Sequence, residues 1–136
     1  AARPAFDDVL RGIVEQHGLL TRLERVALVG FSQGAIMALD AIASGRWPVA
    51  AVVAYSGRLA SPQPFMPAGS PRVLAVHGAA DPVIPAANST EAAVTLRELG
   101  LDAHSHILPG VGHTITTEGA QLGAGFVATA LSSEPE

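Results

Sequence analysis

Three residues of this chain have the types and surroundings needed for nucleophilic chemistry. Ser32 lies in Gly30-Phe31-Ser32-Gln33-Gly34, just after the apolar run Val26-Ala27-Leu28-Val29 and just before a helical pattern. An apolar strand, Gly-x-Ser-x-Gly and a helix together form a nucleophile elbow. The flanking glycines let the backbone turn tightly enough to present the serine hydroxyl. A serine hydroxyl is a poor nucleophile until an imidazole takes its proton. The imidazole in turn needs a carboxylate to fix its tautomer and stabilise the cation. Asp81, in Gly78-Ala79-Ala80-Asp81-Pro82, and His113, in Gly110-Val111-Gly112-His113, each follow an apolar run and could supply both groups.

Each residue also has a plainer reading. Ser32 could cap the following helix, since serine is favoured at that position. Asp81 could be a turn residue before Pro82. The glycines around Ser32 and the strand before Asp81 favour the chemical roles. The other histidines fit less well. His17 falls at the end of a helical segment, where a cation complements the dipole. His104 and His106 share one face of a strand without a visible third metal ligand. His77 ends a strand beside Gly78 and is placed to bond locally. His113, on a glycine-rich loop, is the best base.

These residues need elements to position them. Arg3 to His17 carries a helical stripe of Phe6, Val9, Leu10, Ile13 and Val14, with Pro4 at its start, Asp7 and Asp8 favouring its N-terminus and Gly18 as its stop. Strands are expected over 25–31, 49–55, 72–77 and 103–108, with helices over 33–44, 85–99 and 115–131. The first two strands are unbroken apolar runs, so both of their faces should be covered. The last strand is less apolar and belongs nearer an edge. The segment 58–71 holds four prolines and reads as a loop. The final helix is weakened by Gly119, Gly123 and Gly125, each costing about 1 kcal/mol against alanine. Residues 132–136 read as a polar tail. Alternating strands and helices with right-handed crossovers give a parallel sheet of about four strands with helices on both faces. Functional residues then gather at the carboxyl edge, which is where Ser32, Asp81 and His113 all fall.

Composition narrows the function classes. The 136 residues suit one domain, and 49% hydrophobic with 15% charged content is that of a folded chain. A net charge of −4 without a basic cluster argues against nucleic acid or an anionic membrane as partner. All eight basic residues are arginine, which reads as genome base composition. With no cysteine there is no disulfide, thiolate metal site or thiol nucleophile. No apolar run approaches the roughly 18 residues needed to span a bilayer. Neither the basic nor the apolar segment of a signal peptide is present, so a cytoplasmic location is expected.

Together, Gly30-Phe31-Ser32-Gln33-Gly34, Tyr55-Ser56-Gly57-Arg58-Leu59, His77-Gly78-Ala79-Ala80-Asp81-Pro82-Val83-Ile84-Pro85 and Gly112-His113-Thr114-Ile115 resemble the phospholipase/carboxylesterase family of α/β-hydrolases. That family includes acyl-protein thioesterases and small bacterial carboxylesterases. The resemblance covers nearly the whole chain, and the order Ser, Asp, His is that of the fold. It implies a serine carboxylesterase with Ser32 as nucleophile, His113 as general base and acid, and Asp81 as the orienting carboxylate. The backbone N–H of Gln33 would be one oxyanion donor. Implied substrates are small carboxylic esters of short or medium acyl chains, or thioesters and lysophospholipids, hydrolysed without a cofactor. Leu59, Phe65 and Met66, in the proline-rich loop, are candidates for the acyl-side wall, or equally apolar anchors of a solvent loop.

Members of the family normally carry several strands before the elbow, one of which ends in a His-Gly loop that gives a second oxyanion donor. Nothing in this chain matches that segment, so residues 1–136 read as the C-terminal part of an α/β-hydrolase fold, partial or minimal. Losing one oxyanion donor costs about 2.7–4 kcal/mol, or 10²–10³ in rate. The apolar strand 26–29 also becomes a bare edge. A fragment of a longer enzyme, a homodimer covering the edge, and a natural minimal hydrolase each accommodate this. Two alternatives to an esterase are a catalytically silent piece that folds and self-associates, and a serine peptidase of the same fold.

Overall fold

The computed structural model describes residues 2–132. The chain runs α1 (Arg3–Gln16), a 3-10 turn (Leu23–Arg25), β1 (Ala27–Phe31), α2 (Gln33–Ala43), β2 (Ala51–Tyr55), β3 (Arg72–Gly78), α3 (Ala87–Glu98), β4 (Asp102–Leu108) and α4 (Thr117–Ser132). The element types match the sequence reading, and most boundaries move by one or two residues. Of the expected polar tail, Ser132 closes α4, and residues 133–136 lie outside the described residues.

The four strands form one parallel sheet in chain order, β1-β2-β3-β4. Its two faces carry separate cores. On one, Val52, Ala54, Val73 and Ala103 pack against α2 and α3, with Phe6, Leu10 and Val14 of α1 closing the layer. On the other, Val53, Tyr55, Val76 and Leu108 pack against Leu122, Phe126 and Val127 of α4. Every residue of β2 is buried, as its unbroken apolar run requires. β4 alternates instead, with Ala103 buried and His104 exposed, as befits an edge strand.

β1 is the bare edge expected from the missing upstream strands, but the covering of both its faces that its composition suggested is not found. Its run resembles that of β2, but β1 is the other edge of the sheet, and Val29 is 60% exposed. Composition reports what a strand would bury, whereas position in the sheet decides what is covered. One glycine of α4 also has a use that propensity does not reveal. A Cβ on Gly123 would overlap the Tyr55 hydroxyl, and one on Gly119 would touch the Tyr55 ring. Gly123 lets the helix lie against β2, and the Tyr55 hydroxyl donates to the Gly119 carbonyl at 2.8 Å.

An ionic network fastens α1 to the site-bearing helix α2. The Asp40 carboxylate accepts from Arg3 at 2.7 and 2.5 Å, from Arg46 at 2.9 Å and from Ser61 at 2.6 Å. α1 starts at Arg3 with no acidic residue in its first turn, so Asp7 and Asp8 lie beyond the reach of the helix N-terminus expected for them, and Asp7 instead accepts from Arg46 and from the Trp47 indole. Burial opposes the charge on Asp40, but bonds from Arg3, Ser61 and Arg46 outweigh it and lower the carboxyl to about 2. A carboxyl lowered on folding stabilises the native state above its unfolded value of 3.8, and that stability is lost as pH falls toward about 2. Asp40→Asn should therefore cost roughly 2 kcal/mol at neutral pH and progressively less below pH 4. Urea unfolding of both proteins across that range checks this, and a difference independent of pH would contradict it.

Candidate active site

Parallel pairing in chain order brings the loops after β1, β2, β3 and β4 to one edge of the sheet. The residue after β1 is Ser32, with φ 54° and ψ −114°. Non-glycine residues rarely hold a positive φ, and the surrounding structure must impose it. Two contacts do so. Ser32 N–H donates to the Tyr55 carbonyl at 2.8 Å, and the Ser32 carbonyl accepts from Ile36 N–H at 3.0 Å, opening α2. The reversal needs Gly30, because a Cβ there would lie 2.5 Å from the Gly34 carbonyl. Ser32 does occupy the N-cap position, but its side chain makes no capping bond. The hydroxyl is turned elsewhere.

It is turned to His113. Ser32 Oγ lies 3.0 Å from His113 Nε2, and His113 Nδ1 lies 2.7 Å from Asp81 Oδ2. A carboxylate can only accept, so Nδ1 carries the hydrogen and Nε2 is left to accept from the serine hydroxyl. Asp81 is held by its own turn. Val83 N–H and Ile84 N–H donate to Oδ1 at 2.8 and 2.9 Å, which leaves Oδ2 for the imidazole. Burial works against the Asp81 charge, but bonds from His113, Ile84 and Val83 more than offset it and hold the carboxyl below its usual value. Asp81 is 9% exposed, while Ser32 and His113 are half-buried, so an incoming molecule can reach the hydroxyl.

The two loops that bring Asp81 and His113 together are joined through their backbones. Ala79 N–H donates to the Leu108 carbonyl and Ala80 N–H to the Val111 carbonyl, both at 2.9 Å. Gly78 makes this close approach feasible, since a Cβ there would overlap the carbonyl oxygens of Val111 and Gly112. Gln33 is the first residue of α2, and first-turn N–H groups have no partner within their helix. Its N–H stands next to the serine at the positive end of the helix dipole, where it can receive a developing negative charge.

The other sequence candidates lie outside the bond series of Ser32, His113 and Asp81. Leu59 and Phe65 line a cleft of about 610 Å³ against Ala92, Thr95 and Leu99 of α3 or just beyond it, and Ser32, Asp81 and His113 are not in its lining. Met66 is exposed and its N–H bonds the Ala43 carbonyl, at the opposite end of α2 from Ser32. The physical reason is the path of the loop, which leaves the site edge after β2 and must return to the far edge to begin β3. His17 donates to the Ile13 carbonyl, and exposed His104 pairs with Asp102. Among the described residues, no group of three or more His, Cys, Asp or Glu could hold a metal.

Three site features were not read from the sequence. The Phe31 ring packs on the His113 ring with centroids 4.9 Å apart. Ser56, at the end of β2, has a φ of 57°, a second strained residue at this edge. The contact made possible by Gly78 joins segments more than thirty residues apart, and only the doublet His77-Gly78 at a strand end could have hinted at it.

Residues 5–131 match the phospholipase/carboxylesterase family. The chain belongs to that family. It is 34% identical over 122 residues to esterase YpfH of Escherichia coli K12, a match covering 90% of this chain and 51% of that protein. The solved structure of esterase PE8 superposes with a TM-score of 0.85 at 38% identity, covering 96% of this chain and 60% of that one. The Bacillus cereus carboxylesterase shares the fold, with a TM-score of 0.78 at 17% identity over 94% of this chain and 59% of its own. The chain thus spans about half the length of its curated relative. No helix among the described residues is long and apolar enough to cross a membrane.

Two glycines separate close approach from helix propensity. Gly78→Ala should lower stability by about 1–3 kcal/mol, because an overpacked Cβ must displace backbone. Gly12→Ala, in α1 with nothing within 4 Å of its Cβ, should raise stability by up to about 1 kcal/mol. Equilibrium urea unfolding measures both, and equal effects would remove the argument for Gly78.

Proposed function

We propose that this chain is a serine carboxylesterase acting through an acyl-enzyme, with Ser32, His113 and Asp81 as its catalytic triad. The observation that carries the reading is the bond series from Ser32 Oγ to His113 Nε2 and from His113 Nδ1 to Asp81 Oδ2, beginning on a serine held at positive φ. In the first half-reaction, Ser32 Oγ attacks the ester carbonyl carbon as its proton passes to His113 Nε2. The tetrahedral oxyanion accepts a hydrogen bond from Gln33 N–H. His113 then protonates the leaving alcohol, and the C–O bond to it breaks. In the second half-reaction, water gives a proton to His113 and attacks the acyl-serine, and the acid departs as Ser32 is reprotonated. Throughout, Asp81 remains ionised, holding the tautomer and stabilising the imidazolium.

Small esters of short or medium acyl chains are the proposed substrates, consistent with the esterases and carboxylesterases the chain resembles. Each element of the mechanism is a proton transfer or an acyl transfer among the chain's own groups. It calls on neither metal nor organic cofactor.

A labelled fluorophosphonate should modify the wild-type protein and leave Ser32→Ala unmodified. The same substitution should lower p-nitrophenyl butyrate hydrolysis by about 10³-fold or more, since the three groups act as a unit. Equal labelling of the two proteins would remove Ser32 as nucleophile, and hydrolysis persisting in Ser32→Ala would remove the triad mechanism.

A second reading, self-association, is favoured by one observation. β1 is an edge strand with Val29 60% exposed, beside an apolar groove formed with Ile115, Ala124, Val127 and Ala128. Such an edge invites strand pairing between copies. Light scattering on the purified chain should then report twice the chain mass, and Val29→Lys should return it to the monomer mass. A monomer mass for the wild type at all concentrations would dismiss the dimer.

A further inference from the structure

His77 is a buried titratable group that the proposed mechanism leaves unused. It lies at the end of β3, 1% exposed, with a partner at each ring nitrogen. Nε2 is 2.7 Å from the Ile84 carbonyl oxygen and 3.2 Å from Asp81 Oδ2. Nδ1 is 2.6 Å from Ser89 Oγ, and Ser89 is itself buried in α3. The Ile84 carbonyl can only accept, so Nε2 carries a hydrogen. With the ring singly protonated, the Ser89 hydroxyl donates to Nδ1.

The position of Ile84 connects this ring to the reaction. Its N–H is one of two that hold Asp81 Oδ1, and its carbonyl is the group that His77 grips. His77 therefore closes the turn 81–84 from behind. Ser89 anchors the ring to the helix, the ring anchors Ile84, and Ile84 anchors the carboxylate. The remaining oxygen, Oδ2, faces two imidazoles. His113 Nδ1–H is at 2.7 Å, and His77 Nε2–H is at 3.2 Å with its bond committed to Ile84. Nearby hydrogen-bonding N–H groups favour the ionised carboxylate, and the shorter contact leaves its stronger bond to the imidazole that shuttles the proton.

We propose that His77 is a positioning residue, which, through the Ile84 peptide and its ring N–H, aims the ionised Asp81 carboxylate at His113. This rests on the hydrolase reading given above. His77 touches no substrate and transfers no proton. Its contribution is to the geometry of the carboxylate, and displacement of a catalytic group by about 1 Å can cost on the order of 10²-fold in rate.

The test compares His77→Leu, His77→Gln, Ser89→Ala and Ser32→Ala with the wild type on p-nitrophenyl butyrate, with circular dichroism recording the fold of each. Leucine removes both ring partners. Glutamine keeps a donor and an acceptor in the same one-three relation as the two ring nitrogens. His77→Leu should lose kcat by about 10²-fold with KM within about twofold, and His77→Gln should recover most of that loss. Ser89→Ala, which frees the ring at Nδ1 with little change in packing, should lower kcat by several-fold at unchanged KM. The rescue and the kcat-against-KM split distinguish aim from general loosening. A folded His77→Leu with wild-type kcat would overturn the proposal, as would equal impairment of the leucine and glutamine variants. Should His77→Leu not fold, unchanged kcat in Ser89→Ala would overturn it alone. Nitrogen-15 shifts of the His77 ring give a readout apart from catalysis: they should show hydrogen on Nε2, and a bare Nε2 would refute the arrangement. Hydrolysis at the wild-type rate in Ser32→Ala would instead count against the hydrolase reading, while Ser32-dependent hydrolysis indifferent to His77 counts only against this one.

Discussion

Parallel pairing of four strands in chain order is the constraint on which the remaining structure depends. Each strand must be entered from the same end, so each crossover returns across one face and each strand exits at the same edge. That geometry collects Ser32, Ser56, Asp81 and His113, which are scattered over more than eighty residues, into one row of loops. A chain with antiparallel neighbours would have sent alternate loops to opposite edges. The bond between His113 and Ser32, the longest-range side-chain bond at the site, is a consequence of this pairing and not a cause of it. What the individual loops add is precision. The Ser32 turn is tightened by Gly30, the Asp81 turn by two peptide N–H groups, and the His113 loop by the close approach over Gly78.

Much of this was legible in the sequence, because the signals are local. Apolar runs of strand length, glycine punctuation and the Gly-x-Ser-x-Gly turn each reflect neighbours a few residues apart. The parallel sheet followed from alternation with helices, and the candidate chemistry followed from which residues came after strands. Ser32, Asp81 and His113 were accordingly candidates by type and place, and the fold brings their side chains within hydrogen-bonding distance. Less legible were features fixed by a residue's surroundings in three dimensions. Val29 reads like Val52 in composition, and although the bare edge of β1 was legible from the missing upstream strands, the 60% exposure of Val29 beside a fully buried Val52 was not. Gly123 reads as a helix weakness, and against Tyr55 it is what allows the helix to pack. Leu59, Phe65 and Met66 read as one apolar loop wall, though the loop carries Met66 to the far end of α2.

The ionic network was unreadable for the same reason. No local motif marks Asp40, and its guanidinium partner Arg3 is 37 residues distant. No spacing rule links them. The histidines show the limit from the other side. His77 was readable as a strand-end residue bonding locally, which is correct as far as it goes. Its relation to Asp81 through Ile84 needs the turn geometry, since the carboxylate and the carbonyl are brought to the same ring edge by the fold of four residues.

Asp40 and Asp81 show how one kind of physics yields two kinds of outcome. Both are buried carboxylates, and in both burial opposes the charge and several donors overcome it. Asp40 faces two guanidiniums, whose protons do not leave in any ordinary pH range, so its energy is spent on joining α1, α2 and the loop at Ser61. Asp81 faces peptide N–H groups on one oxygen and an imidazole on the other. Peptide donors are as permanent as guanidiniums and fix its place. The imidazole is the one partner that can gain and lose a proton near neutrality, and charging it strengthens its bond to the carboxylate. A buried carboxylate among permanent donors is a fastener. Replacing one of those donors with histidine, and setting a strained serine beyond it, turns the same fastener into a device that can respond when a proton moves.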